Sequence, residues 1–94
     1  MKSIYKYTLK TTDTNIIDIT SSNILSVAVQ NENEIVVYAL VDTNSPANTY
    51  EFKIIGTGDP IDKNISKFEF LGTVKLYKTL MFHVFYRYAI IGQE

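Results

Sequence analysis

The chain has 94 residues, with nine Lys and Arg against ten Asp and Glu, for a formal net charge of −1. That length bounds a single domain with a modest core, and 46% apolar residues is too many for a disordered chain. Cysteine is absent, which excludes a disulfide framework and thiolate metal ligation, and there is no basic run of the kind that tracks duplex nucleic acid.

Seven tyrosines and five phenylalanines, with abundant Val, Ile and Thr, are strand chemistry. The start, Met1-Lys2-Ser3-Ile4-Tyr5-Lys6, lacks the apolar core of a signal peptide. The longest apolar stretch, Leu80 to Ile91, is broken by His83 and Arg87 and is too short to span a bilayer. No membrane partner is expected. Charge is unevenly spread: residues 1–52 hold three Lys and six Asp/Glu, or −3, and residues 53–94 hold five Lys, one Arg and four Asp/Glu, or +2. The mildly basic second half suits a small anion better than a duplex.

Ile4–Leu9 alternates, with Tyr5, Tyr7 and Leu9 on one face, as a half-buried strand does. Ile16–Thr20 is a short strand or edge ended by Ser21-Ser22-Asn23. Ile24–Gln30 and Ile35–Val41, joined by the polar turn Asn31-Glu32-Asn33-Glu34, form a hairpin. The second of these runs is apolar on both faces, as a central strand is. After a loop over Asp42–Asn48, Thr49–Ile55 alternates with Tyr50, Phe52 and Ile54 inward. Phe68–Leu76 is a further strand with Gly72 at a candidate bulge. In Leu80–Tyr88, Leu80, Phe82, Val84, Tyr86 and Tyr88 share one face, and Met81, His83, Phe85 and Arg87 the other. No helix of about ten residues emerges, and strands recur with turns between them. The expected fold is all-β: a small antiparallel sandwich or barrel of six or seven strands, residues 1–94 forming one domain. Val37, Leu40, Phe52, Ile54, Phe82 and Val84 are expected in the core.

Between the two β-like blocks stands Ile54-Ile55-Gly56-Thr57-Gly58-Asp59-Pro60-Ile61. Gly56 and Gly58 permit a tight reversal or a concave row of backbone N–H groups. Asp59-Pro60, with Asp62 three residues after the Asp, reads as the capped start of a short helical turn over Pro60–Lys63. Glycine-rich backbone leading into a helix start is a shape that binds phosphate. The P-loop Lys-Ser/Thr is missing, Ile61 breaks the dinucleotide fingerprint, and Asp59 and Asp62 repel anions. A turn that simply joins two strands accounts for the same residues.

The segments Ile4-Tyr5-Lys6-Tyr7, Ile24-Leu25-Ser26-Val27, Ala39-Leu40-Val41-Asp42, Gly56-Thr57-Gly58-Asp59-Pro60-Ile61, Gly72-Thr73 and Phe82-His83-Val84-Phe85 occur in that order. In this the chain resembles a family of small phage and prophage proteins with no assigned activity. The match covers nearly the whole chain, and the extension Tyr86 to Glu94 departs from it. The resemblance implies a phage origin, and with it the cytoplasm of an infected bacterial host.

Chemistry-bearing residues are few. His83 is the only histidine, with no Asp or Glu at metal-ligand spacing; one structural hydrogen bond explains it. Asp59 and Asp62 are explained by capping as well as by acid–base work. An enzyme is not expected, and no cofactor is implied. Two readings remain. In one, the chain is a non-catalytic binding module that sequesters a nucleotide-type host immune signal. Gly56, Thr57 and Gly58, with Lys53, Lys63 or Arg87, would hold the phosphate, and Tyr50 or Tyr86 would stack on the base. In the other, it binds a protein through a sheet edge or the C-terminal strand. Either way Met81, Phe85 and Ala89-Ile90-Ile91 are too apolar for open solvent, so a homo-oligomer, most simply a dimer, is expected.

Overall fold

The period-two runs become seven strands: β1 (Lys2–Leu9), β2 (Thr14–Ile19), β3 (Asn23–Gln30), β4 (Glu34–Asp42), β5 (Asn48–Gly56), β6 (Glu69–Leu76) and β7 (Leu80–Ala89). A single 3-10 turn, Lys63–Lys67, lies between β5 and β6. The structure is a computed structural model and describes residues 1–20 and 23–89. The strands form two antiparallel sheets, in the orders β1-β4-β3 and β2-β5-β7-β6, packed face to face as a sandwich. Leu9, Ile35, Val37, Ala39 and Val41 of the first sheet meet Ile19, Phe52, Ile54, Val74, Leu76 and Val84 of the second. β4 is apolar on both faces because it is central. Its outward Val36 is fully buried, flanked by Thr8 of β1 and Ala28 of β3.

Two residues expected in the core are only half-buried. Leu40 lies on the outer face of its sheet, paired with Ile4 and Asn23. Phe82 points inward, but its β5 neighbour is Gly56, which has no side chain to cover it. The helical turn also falls elsewhere. It spans Lys63–Lys67, and its cap is Asp62, whose carboxylate accepts from the Asn64 N–H. Asp59 cannot serve as that cap because its carboxylate turns back to the Gly56 N–H at 3.2 Å. Phe68 closes the turn instead of opening β6, its N–H donating to the Ile65 carbonyl at 3.0 Å. The tail from Ile90 onward lies outside the described residues.

The β1–β2 crossover is shaped by one buried polar side chain. Asn15 accepts from the Lys10 N–H and donates to the Lys10 carbonyl, both at 2.9 Å, so its burial leaves neither amide atom unsatisfied. On the other side of the sandwich β3 packs over β6. There the β6–β7 register shifts between Phe70 and Gly72. A Cβ on Gly72 would lie 2.8 Å from Val27 Cγ1, so glycine is required by close approach of the two sheets.

The β3–β4 and β6–β7 turns share an uncommon backbone. Asn31 and Glu32 in one, and Tyr77 and Lys78 in the other, have φ between 52° and 65°, a left-handed conformation that non-glycine residues adopt at a cost. The turns are joined to each other. The Tyr77 N–H donates to the Glu32 carbonyl at 2.7 Å, and Lys78 Nζ lies 3.2 Å from Glu32 Oε1.

Overpacking governs the test of the β3–β6 contact. Gly72→Ala is expected to destabilise the fold by about 1–3 kcal/mol, and Val27→Ala in the same chain to recover part of that loss. Chemical denaturation of the two single variants and the double variant checks this; strict additivity would mean that the two positions do not touch.

Candidate ligand site

The pleat of β7 sends Met81, His83, Phe85 and Arg87 to the outer face of the four-stranded sheet, beside Ile55 and Lys53 of β5 and Thr73 and Phe70 of β6. At the end of β5 the chain turns over this face. The Thr57 N–H donates to the Met81 carbonyl at 3.2 Å, and the Asp59 N–H donates to the Gly56 carbonyl at 3.1 Å. Gly58 has φ +91°, where glycine is the natural residue. The result is a hydrogen-bonded corner standing over β7.

His83 is held between two threonines that lie far from each other in sequence. Thr57 Oγ1 is 2.8 Å from Nε2, and Thr73 Oγ1 is 2.9 Å from Nδ1. Thr73 faces His83 because their strands pair in register, while Thr57 reaches it from the corner. A hydroxyl beside an imidazole is the geometry of a nucleophile and its base. A catalytic pair of that kind is normally backed by a carboxylate that stabilises the imidazolium, and here the second ring nitrogen meets a hydroxyl. A cavity of about 220 Å³ opens beside the ring, lined chiefly by Thr57, Gly58, Ile61, Phe70, His83 and Phe85. Phe70 and Phe85 form an edge-to-face pair with centroids 5.3 Å apart.

The residues expected to form the site divide between two faces. Gly56, Thr57 and Gly58 build the corner, but the N–H groups of Gly56 and Thr57 are already bonded within it. This corrects the image of an open row of donors. Lys53 and Arg87 share the outer face but are otherwise engaged. Arg87 Nη2 lies 2.8 Å from Glu51 Oε1, and the Lys53 and Arg87 head groups sit 5.9 and 4.8 Å from the centroid of the Phe68 ring. Lys63 opens the 3-10 turn and does not line the cavity. Tyr50 and Tyr86 point the other way, into the sandwich, with Tyr50 only 4% exposed. Burial pushes both phenols above the usual tyrosine range, helped by the Tyr88 phenol at Tyr50 and by a hydrogen bond to Glu69 at Tyr86. Strand alternation forbids them to meet a ligand that touches Lys53 or Arg87. The aromatics that do face the corner are Phe85, which shares a face of β7 with His83, a pattern readable from the spacing of residues 81–87, and Phe70, which the β6–β7 pairing sets opposite Phe85.

A larger cavity of about 460 Å³ lies at the opposite end of β5, lined by Lys2, Leu40, Asp42, Pro46 and Asn48 among others. Its carboxylate is occupied: Asp42 accepts from the Asn44 N–H at 3.0 Å and lies 3.5 Å from the terminal amine. These contacts, the first above all, hold its carboxyl below the usual range. Among the described residues no group of three or more His, Cys, Asp or Glu side chains could hold a metal ion, and no helix is long and apolar enough to cross a membrane.

Thr73→Val is expected to cost about 1 kcal/mol, the net worth of a typical hydrogen bond. It should also free the imidazole to exchange tautomers. Nitrogen-15 spectra of the His83 ring and denaturant melts check this; an unchanged ring spectrum would mean that Thr73 does not position it.

No curated protein and no solved structure matches the chain. A family model does match, over residues 1–92: Domain of unknown function (DUF7352). From its first residue to near its last, the chain belongs to the DUF7352 family.

Proposed function

We propose that the chain is a non-catalytic binding module whose site is the cavity between the glycine corner and the outer face of β7. Its ligand is nucleotide-type and is held by its planar base. One observation carries this reading: two aromatic rings 5.3 Å apart lie beside a doubly hydrogen-bonded imidazole, at a corner whose Gly56, Thr57 and Asp59 N–H groups are already used. Flat uncharged rings are matched by aromatic surface. A phosphate would meet the Asp59 carboxylate and few open donors. The cavity, about 220 Å³, is smaller than the roughly 300–1,000 Å³ that holds a drug-sized ligand. It therefore suits a base or a nucleoside, with the remainder of the ligand outside. The resemblance to small phage proteins supplies the setting: a protein that holds a host immune nucleotide without turning it over, in the cytoplasm of the infected cell.

A second reading has its own observation. Ile61, Phe70 and Met81 are 55%, 57% and 38% exposed, an apolar surface wider than the cavity, as on a protein that binds another protein.

Calorimetric titration of nucleosides, linear nucleotides and cyclic nucleotides separates the two readings. Nucleosides are expected to bind about as well as their phosphorylated forms. Phe85→Ala should weaken binding by about 1–3 kcal/mol through lost stacking. Gly58→Val should abolish binding, because φ +91° resists a β-branched residue. The fold should largely survive, since nothing lies within 4 Å of the added Cβ. If only phosphorylated forms bind, the base-led reading fails. If none binds, the protein-binding reading replaces it.

A further inference from the structure

We infer that Thr57 is the specificity residue of the pocket, that His83 sets the sense of its hydrogen bond, and that a protonated ring makes the pocket select a base presenting a carbonyl over one presenting an amine. This rests on the base-binding reading above. The side chains that line the cavity and can hydrogen-bond are those of Thr57, Asp59 and His83. The last two are already engaged. The Asp59 carboxylate turns to the Gly56 N–H, on the side of the strand where Phe82 lies. Both nitrogens of His83 are taken, Nε2 by Thr57 at 2.8 Å and Nδ1 by Thr73 at 2.9 Å. The side-chain group left to meet the polar edge of a base is therefore the Thr57 hydroxyl.

The sense of that hydroxyl follows from counting hydrogens. A threonine has one to give and lone pairs to receive. A neutral imidazole has one N–H and one bare nitrogen, and an imidazolium has two N–H groups. With the ring hydrogen on Nδ1, His83 donates to Thr73 and its bare Nε2 takes the Thr57 hydrogen. Thr57 then offers only lone pairs, which suit an amine. With the ring hydrogen on Nε2, His83 donates to Thr57, and Thr73 donates to Nδ1. The Thr57 hydrogen is now available. Its alternative within the chain is the Met81 carbonyl at 3.5 Å, a long contact to an oxygen that already accepts the Thr57 N–H. The neutral ring thus lets Thr57 act in either sense, one tautomer for each. An added proton removes the choice. Both nitrogens donate, both hydroxyls accept, and the Thr57 hydrogen is left for the ligand. A carbonyl gains a donor, while an amine meets an oxygen already accepting from a cation.

The neighbours leave this proton count intact. Ile55 stands across from His83 on β5, and Thr73 on β6. The charged groups of this face are Lys53 and Arg87, both against the Phe68 ring, Glu51, which pairs with Arg87, and Lys75, opposite Met81. The corner adds Asp59, turned to Gly56. Among the described residues the ring's hydrogen bonds go to the two hydroxyls.

Calorimetric titration of inosine and adenosine into the full chain tests this. The two nucleosides share a purine and differ at one position, a carbonyl in the first and an amine in the second. Titrations are run with His83 neutral and again with it protonated, as read from nitrogen-15 spectra of its ring. The affinity ratio of inosine to adenosine is expected to rise by about tenfold on protonation, roughly one hydrogen bond. With the ring neutral, inosine should hold the hydrogen on Nε2 and adenosine on Nδ1. Thr57→Val should leave the ratio indifferent to protonation, and Thr57→Ser, which keeps the hydroxyl, should retain the rise. Melting curves check that both variants fold, and the ring spectra of the wild type need no variant. A wild-type ratio that ignores ring protonation, or one that changes equally in folded Thr57→Val, would overturn the inference and leave base binding standing. So would a ring whose tautomer is the same with either nucleoside. If neither nucleoside binds, the base-binding reading falls and the inference with it.

Discussion

The structure depends on β7 being paired on both sides. With β5 on one edge and β6 on the other, its pleat is fixed, and every side chain from Leu80 to Ala89 is assigned to one face or the other. Inward, Val84 is fully buried among Phe52, Ile54 and Val74. Outward, the same alternation sets Met81, His83 and Phe85 in a line beneath the glycine corner. The core and the candidate site are thus two faces of one strand. A slip of one residue would bury His83 and Arg87 and expose Val84, so the stability of the core is what holds the site in register.

The corner shows how a sequence signal for one function can be used locally for another purpose. Two glycines before an Asp-Pro suggest a cradle for an anion. In the folded chain the Asp59 carboxylate itself satisfies the Gly56 N–H, so the negative charge that the backbone was ready to receive comes from within the loop. Such self-capping is what Asp does beside glycine in turns. It closes the cradle with the chain's own carboxylate, and beside it an imidazole and two phenyl rings present a largely apolar surface.

The architecture was legible in the sequence because strand alternation is a local property. Tyr50, Phe52 and Ile54 inward, β4 apolar on both faces, and the β3–β4 hairpin all follow from period two. Pairing between distant strands was not legible, and the site depends on it. Thr57 and Thr73 lie 26 and 10 residues from His83, and no spacing rule brings them together. Tyr50 and Tyr86 were grouped with Lys53 and Arg87 for their chemistry, although the same alternation that placed Tyr50 inward already separated them. The shift of the helical turn from Pro60–Lys63 to Lys63–Lys67 had a different cause. Two Asp residues competed for the cap, and only the folded corner decided between them.

The paired turns at Glu32 and Tyr77 bear on motion. They sit at the same end of the sandwich as the glycine corner, and the bond between them ties one sheet to the other where both chains reverse. Sliding of the sheets past each other is therefore blocked at that end. A guest in the corner would meet walls already set in place and would lose little entropy to their ordering.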